Sequence, residues 1–419
     1  MKDHPQACPL RVAATPSPGA TPVGRQSRLH GVSGIGRAVS LVAGPKASAS
    51  STPRLQRGFT LIELMVGLVL GLLTVLLITQ VTAVSEGKKR TVSMGSDAQV
   101  NGALSLFTLQ RDIEMSGYGA TASPDALGCT VKGQYDTTGA PFTFTLAPVV
   151  IGDGAGNAPD TITVLQGRTS SFSVPMLLTG VHLQTDDHFT VSSSLGATAG
   201  NMMIAVPKTQ DSTTWCTLFS VTNDTSSPTT TLSATNVPHV SGTSAKWNQS
   251  SLFPPAGYID GSYLLNMGSM AYRTYSIDSA NNLLQATERS PTNGVIASQE
   301  LYPQIVNLQA LYGKDTDGDG VVDTYDNTTP TTNAGWLQVL AIRIAVVARS
   351  NQYEKDPVTT TPPLWDVGAT ATINGPATAT CNVTSKCITL QVSQVPEWQH
   401  YRYKVYDTVV PLRNVLWNK

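Results

Sequence analysis

Residues Phe59–Val84 read FTLIELMVGLVLGLLTVLLITQVTAV, and this stretch decides the architecture. It has 26 residues and one charge, Glu63. Wound as a helix it is ~39 Å long, more than the ~30 Å hydrocarbon core of a bilayer. The flanks differ in charge. Segment 1–58 holds eight of the 27 Lys and Arg residues and one of the 28 acids, which leaves 59–419 with a net charge of −8. A basic head before an apolar span is expected on the cytoplasmic side, with the acidic body outside. Two plain readings fit hydropathy alone: a single-pass anchor, or a secretory signal cleaved after Val81-Thr82-Ala83. Neither explains Glu63, because a carboxylate five residues into an apolar run is costly in lipid unless it finds a partner.

The run begins abruptly, at Arg57-Gly58-Phe59-Thr60-Leu61-Ile62-Glu63. RGFTLIEL resembles the prepilin processing site of type IV pilins and type II secretion pseudopilins. The resemblance implies cleavage after Gly58 by a prepilin peptidase and N-methylation of the new terminal Phe59. It also implies that Glu63 pairs with the terminal amine of a neighbouring subunit during filament assembly. The physical reading agrees: the new amine is a cation in lipid, and Glu63 is the carboxylate that can neutralise it. Losing one partner of such a pair strands the other. Gly67 and Gly71 form a GxxxG, which permits close helix approach in a membrane. The leader departs from the family in its length. It is rich in Pro, Gly, Ser and Ala, reads as disordered, and is better explained by a misplaced translation start than by a functional arm. Cys8 goes with it.

Past Glu86-Gly87-Lys88-Lys89-Arg90, apolar residues recur at helical spacing as Val100, Ala103, Leu104 and Phe107, with Leu106, Leu109 and Ile113 on an adjacent stripe. Ser116-Gly117-Tyr118-Gly119 supplies a stop. The spacing predicts one helix of about 57 residues, roughly 85 Å, weakened at Gly87, Gly95 and Gly102. Beyond it the pattern turns to strands, at Thr161–Leu165, Phe172–Pro175, Phe189–Ser192, Met202–Val206, Thr217–Val221, Tyr263–Tyr272, Ala341–Ala348 and Tyr401–Val410. One late helix is predicted at Ala297–Tyr312, from Leu301, Ile305, Leu308 and Leu311. The Thr/Ser/Pro stretches 207–250 and 355–378 read as surface excursions. The expected organisation is a leader over 1–58, a membrane-spanning or filament-core half-helix over 59–84, an amphipathic half over 85–118 and a β-rich domain over 119–419. The fold class is α+β, pilin-like, with a long N-terminal helix packed on a β-rich globular domain with long loops.

Segments of the body also resemble the PilW family of minor pilins, in order along the chain: Leu106–Ile113, Tyr263–Gly268, Leu311–Gly320 and Leu412-Arg413-Asn414. The resemblance implies a type IV pilus subunit that waits in the inner membrane with its body in the periplasm, then joins the fibre or its initiating tip complex. The implied partners are other minor and major pilins, the prepilin peptidase, the inner-membrane assembly platform and a tip adhesin, with adhesion and twitching motility as the associated processes. A type II secretion pseudopilin shares the N-terminal logic, and an anchored adhesin that never polymerises is the rival from another class.

The strongest chemical motif is DTDGDGVVDTYD, residues 315–326. It places Asp315, Asp317, Asp319, Asp323 and Asp326 at positions 1, 3, 5, 9 and 12 of a calcium loop, with Gly320 at the sharp turn and Val321 offering its carbonyl. A structural Ca2+ is expected there, although Asp326 is shorter than the usual closing Glu. Four body cysteines, Cys129, Cys216, Cys381 and Cys387, allow three disulfide pairings. Cys381 and Cys387 bracket a short loop suited to a hairpin tip, which would leave Cys129 for Cys216; free thiols are the alternative. Catalysis finds no foothold. His182, His188, His239 and His400 read as surface or strand residues, no G-x-S-x-G elbow occurs, and Gly152–Gly156 precedes a strand, unlike a dinucleotide loop. A net charge of −1 and scattered tryptophans give no support to nucleic-acid binding.

Overall fold

The computed structural model describes residues 58–169, 173–211, 213–241, 246–373, 379–381 and 384–417. Nearly all of the leader, Cys8 and Phe172 lie outside them. The chain divides into two units, 1–71 and 72–419.

One helix, Leu61–Glu114, runs for 54 residues without a break at any of its glycines. It ends where Gly117 and Gly119 turn into the left-handed region (φ 78° and 82°), backbone that L-residues avoid. The side chains of Leu61–Val84 are exposed. Further along, Ala98, Gly102, Ser105, Leu109, Ile113 and Ser116 are buried. Val100, Leu104 and Phe107, predicted to face the body, are instead 52%, 45% and 62% exposed. The small residues explain the correction. A Cβ on Gly102 would meet the Tyr406 ring and lie 3.1 Å from Ala348 Cβ, so the helix approaches its sheet on the side with least bulk.

That sheet has four antiparallel strands, ordered Thr324–Asp326, Ile305–Lys314, Val339–Arg349 and Tyr403–Pro411. One face joins Leu109 and Ile113 of the helix with Leu308, Ala310, Tyr312, Ile342, Ile344 and Val410. The other buries Val306, Leu311, Ala345 and Val347 against Trp365, Val367 and Leu390. Residues 305–313 are therefore buried whichever way they point. This overturns the helix predicted at Ala297–Tyr312. The segment is two strands, Ile296–Pro303 and Ile305–Lys314, separated by Gln304 at φ 63°. A doubly buried strand is apolar at most positions on both faces, here with Asn307 and Gln309 as exceptions, so a 3.6-residue spacing can be picked out of it by chance.

A five-stranded sheet, ordered Ile296–Pro303, Leu283–Arg289, Ala271–Asp278, Thr161–Gln166 and Val149–Gly152, shares the first core. Arg273 ties it to the helix: its guanidinium reaches Asp112 and Glu288, both at 2.6 Å, and Tyr275 OH donates to Asp112 at 2.5 Å. A six-stranded sheet, ordered Phe142–Thr145, Thr130–Gly133, Cys216–Ser220, Met202–Val206, Tyr263–Gly268 and Met176–Leu177, has cores of its own on both faces. Strand Met202–Val206 matches its prediction residue for residue. The predicted strand Tyr263–Tyr272 is split at Gly268 (φ 59°), where a side chain would strike the Arg168 carbonyl. The described part of Phe172–Pro175 is irregular, and pairing begins at Met176. Nor is 207–250 a mere excursion: it supplies a central strand and the buried Val237, His239 and Trp247. Trp365, Val367 and Ala371 likewise bring 355–378 into the core.

Candidate functional site

The first site is the start of the long helix. Thr60 Oγ1 accepts from Glu63 N at 3.3 Å, while Glu63 Oε2 accepts from Thr60 N at 3.2 Å and from Thr60 Oγ1 at 3.1 Å. This is a capping box, in which two orphan N–H groups of a helix start are satisfied reciprocally. The signal, Thr-x-x-Glu before an apolar run, stands in the sequence itself. Gly58 and Phe59 precede the cap; Phe59 is 86% exposed and a Cβ on Gly58 would meet open space. The helix is long and apolar enough to cross a membrane over Leu61–Lys89.

The second site is the acidic loop. Carboxylate oxygens of Asp315, Asp317 and Asp323 lie within 4.8 Å of one another. Asp315 is buried and accepts from Gly318 N at 2.6 Å and Gly320 N at 3.0 Å, on a backbone that turns left-handed at both glycines (φ 83° and 87°). Hydrogen bonds from the Thr316 hydroxyl and amide hold the Asp323 carboxyl below its ordinary value. Asp319 accepts from Val321 N at 2.8 Å and stands outside that trio, and Val321 is exposed. Asp326 does not close the loop: it pairs with Lys314 at 2.8 Å. The reason is topological. Residues 324–326 return as a strand paired with Tyr312–Lys314, so position 12 enters a ladder and not a helix. The remaining trio is a set of hard oxygen donors of the kind Ca2+ takes.

The cysteines pair as expected from the short loop, Cys129 with Cys216 and Cys381 with Cys387. The first bond ties Cys216, at the head of its strand, to Cys129, the residue just before the parallel neighbour Thr130–Gly133. Two histidines do not fit their reading. His182 and His239 are buried, with their Nε2 atoms 2.8 Å apart among Phe189, Phe253 and Tyr258. Burial pulls the His182 imidazole down to about 4 and His239 well below its usual value. No third metal ligand joins them among the described residues. Fifty-seven positions separate the two in sequence, and no local pattern could have joined them.

Comparison with known families assigns both ends of the chain. Residues 53–79 match the prokaryotic N-terminal methylation motif, and residues 274–414 match type IV pilus-assembly protein W. These two segments are similar to the corresponding parts of a PilW-family, prepilin-type pilin. No curated protein and no solved structure matches it. The PilW match begins in the strand Ala271–Asp278 and ends just past Tyr403–Pro411, so it takes in the sheet against which the long helix packs. The six-stranded sheet with its two cores lies outside the match. The family is one of pilus assembly, and the motif with its apolar helix fits a membrane-anchored pilin.

Proposed function

We propose that the chain is a minor pilin, made as a prepilin and cleaved after Gly58, which joins other minor pilins in an assembly-initiating tip complex. The reading rests on one observation: Glu63 sits in the first turn of an apolar helix, immediately after the Gly58–Phe59 junction, with Thr60 as its partner. A carboxylate there is neutral in charge terms only if a cation reaches it, and the Phe59 amine of an adjoining subunit is the cation that processing creates. The exposed stripe Val100, Leu104 and Phe107, spaced four and three residues apart, supports the second half of the reading, since it offers an apolar face to a neighbouring helix. The proposed location is the inner membrane with the body in the periplasm before assembly, and the fibre afterwards, with the assembly platform, major pilin and a tip adhesin as partners. We also carry forward a structural Ca2+ held by Asp315, Asp317 and Asp323, which would rigidify the turn between Ile305–Lys314 and Thr324–Asp326.

The test is the N-terminal mass of the exported chain together with pilus yield. A chain beginning at methylated Phe59, and loss of piliation in Glu63→Gln, are expected. A chain beginning at Val84, or normal piliation in Glu63→Gln, refutes the reading.

A further inference from the structure

The six-stranded sheet carries a polar groove. One half, about 350 Å3, is walled by Trp215, Lys132, Thr130 and Gln210; the other, about 380 Å3, by Lys208, Asp125, Asn333 and again Gln210. Gly128 and Gln210 belong to both halves, and Gln210 Nε2 donates to the Asp125 carbonyl at 2.7 Å, a low sill between two adjoining compartments. Each half lies at the small end of the ~300–1,000 Å3 range of ligand pockets. Only Thr331–Asn333 come from the segment that matches the pilus-assembly family; the rest of the wall is built by this chain's additional sheet and its loops.

The chemistry of the wall narrows the occupant. Lys132 and Lys208 are balanced by Asp125 and Asp211, so the groove has no net charge with which to select an anion. Among the described residues neither lysine forms an ion pair, and no hydrogen bond reaches the Asp125 carboxylate. Gln210 and Asn333 donate to backbone carbonyls through their nitrogens, and no bond reaches their amide oxygens. Among the described residues, the two ammonium groups, the Asp125 carboxylate, the two amide oxygens and the Thr130 hydroxyl thus face the groove without a hydrogen bond, whereas Asp211 Oδ1 is taken by Thr213 and Thr214. Trp215 is fixed by its Nε1, which donates to Leu252 O at 2.6 Å. Lys132 Nζ lies 3.1 Å from its ring centroid, which shows that the electron-rich face is reached from the groove.

A ligand that needs both donors and acceptors, carries no charge and offers a weakly positive C–H face to an indole is a sugar. We propose that this groove binds a neutral oligosaccharide of two or more rings, one ring against Trp215 in place of Lys132 Nζ and the next across Gln210 beside Asp125. The proposal is independent of the role in pilus assembly.

The test uses the full-length chain in a detergent without a sugar headgroup. It is applied to an array of neutral, sialylated and sulfated oligosaccharides, then titrated with the best neutral trisaccharide by tryptophan fluorescence. Binding of a neutral oligosaccharide is expected. Trp215→Ala and Gln210→Ala should each weaken it about tenfold, the loss of one stacking or hydrogen-bonding contact. Because Trp215 also braces Leu252, Asp125→Asn is the companion variant: an exposed side chain whose change should lower affinity with thermal unfolding unchanged. The proposal is overturned if no neutral oligosaccharide binds, if the variants bind as the unaltered chain does, or if only charged glycans bind and salt releases them.

Discussion

The buried histidine pair makes the fold sensitive to acid by a calculable amount. Above pH ~6.5 both imidazoles are neutral in folded and unfolded chains alike, and they contribute nothing to pH dependence. As the pH falls below that value the unfolded chain takes up protons that the folded chain refuses, because burial holds His182 down to about 4 and His239 lower still. Folding stability therefore drops by about 1.4 kcal/mol per pH unit for each imidazole, or about 4 kcal/mol for the pair at pH 5. Of the charged groups around the pair, Asp186 and Asp187 favour protonation of His182 and His188 opposes it, and burial outweighs them. Asp160 works the opposite way. Buried beneath Gly154 N and Ala310 N, its carboxyl is pushed up to about 7, so the folded chain holds a proton that the unfolded chain has lost. Its contribution grows as pH falls from 7 and is worth about 3 kcal/mol at pH 5. The unaltered protein should thus lose only about 1 kcal/mol between pH 7.5 and pH 5, whereas His182→Met/His239→Leu should gain about 3 kcal/mol over the same interval. Urea unfolding followed by tryptophan fluorescence reads both slopes. Parallel pH profiles for the two proteins would refute the reasoning.

Three further outcomes are expected. Asp112→Ala should cost about 2–4 kcal/mol in the same urea assay, since Arg273 loses a partner and the buried Tyr275 hydroxyl loses its acceptor; a change under 0.5 kcal/mol, the size of an ordinary surface substitution, would sink that account. Opening the Cys129–Cys216 bond, which spans 87 positions, should cost about 4.6 kcal/mol by loop entropy, against about 2.2 for the six-position Cys381–Cys387 bond; equal losses in the two double-serine variants would contradict it. Millimolar Ca2+ should raise the melting temperature of the unaltered chain, and Asp317→Asn/Asp323→Asn should abolish the rise; a rise that survives in the variant would place the ion elsewhere.

What the sequence made legible was local. The apolar span, the Gly58–Phe59 junction and the short, wholly apolar strand Met202–Val206 each carry their signal within a few residues. The failures share a cause, which is that burial is decided by partners far away in the chain. Ile305–Lys314 is buried as far as Gly313, the polar Asn307 and Gln309 included, because sheets and loops cover both its faces, and the spacing of Leu301, Ile305, Leu308 and Leu311 is drawn from two successive strands. On the long helix, hydrophobicity points to two stripes: Leu109 and Ile113 of one are buried against the body, while Val100, Leu104 and Phe107 of the other are exposed and the body takes Ala98, Gly102 and Ser105, where the backbone can come close to Tyr406 and Ala348. Gly102, which propensity marks as a weak point, is a contact. His182 and His239 carry no local signal of their pairing, since nothing in either neighbourhood announces the other.

The capping box also changes how the proposed register pair has to work. In the single chain Glu63 is engaged through Oε2, while among the described residues no hydrogen bond reaches Oε1. Thr60 gives that carboxylate neutral donors, which satisfy lone pairs without cancelling the charge, so the cost of holding it in lipid is reduced and not removed. An arriving ammonium has Oε1 open to it and need not displace Thr60. The helix start therefore stays capped while the charge is neutralised, and the two contributions separate by mutation. Thr60→Val should fray the first turn at a cost of about 1 kcal/mol and leave the charge pair available, whereas Glu63→Gln keeps an acceptor for the Thr60 amide and loses the charge. Under the proposed function the first variant assembles with reduced efficiency and the second does not assemble. If instead Thr60→Val abolished fibres while Glu63→Gln made them normally, Glu63 would be a helix cap and nothing more.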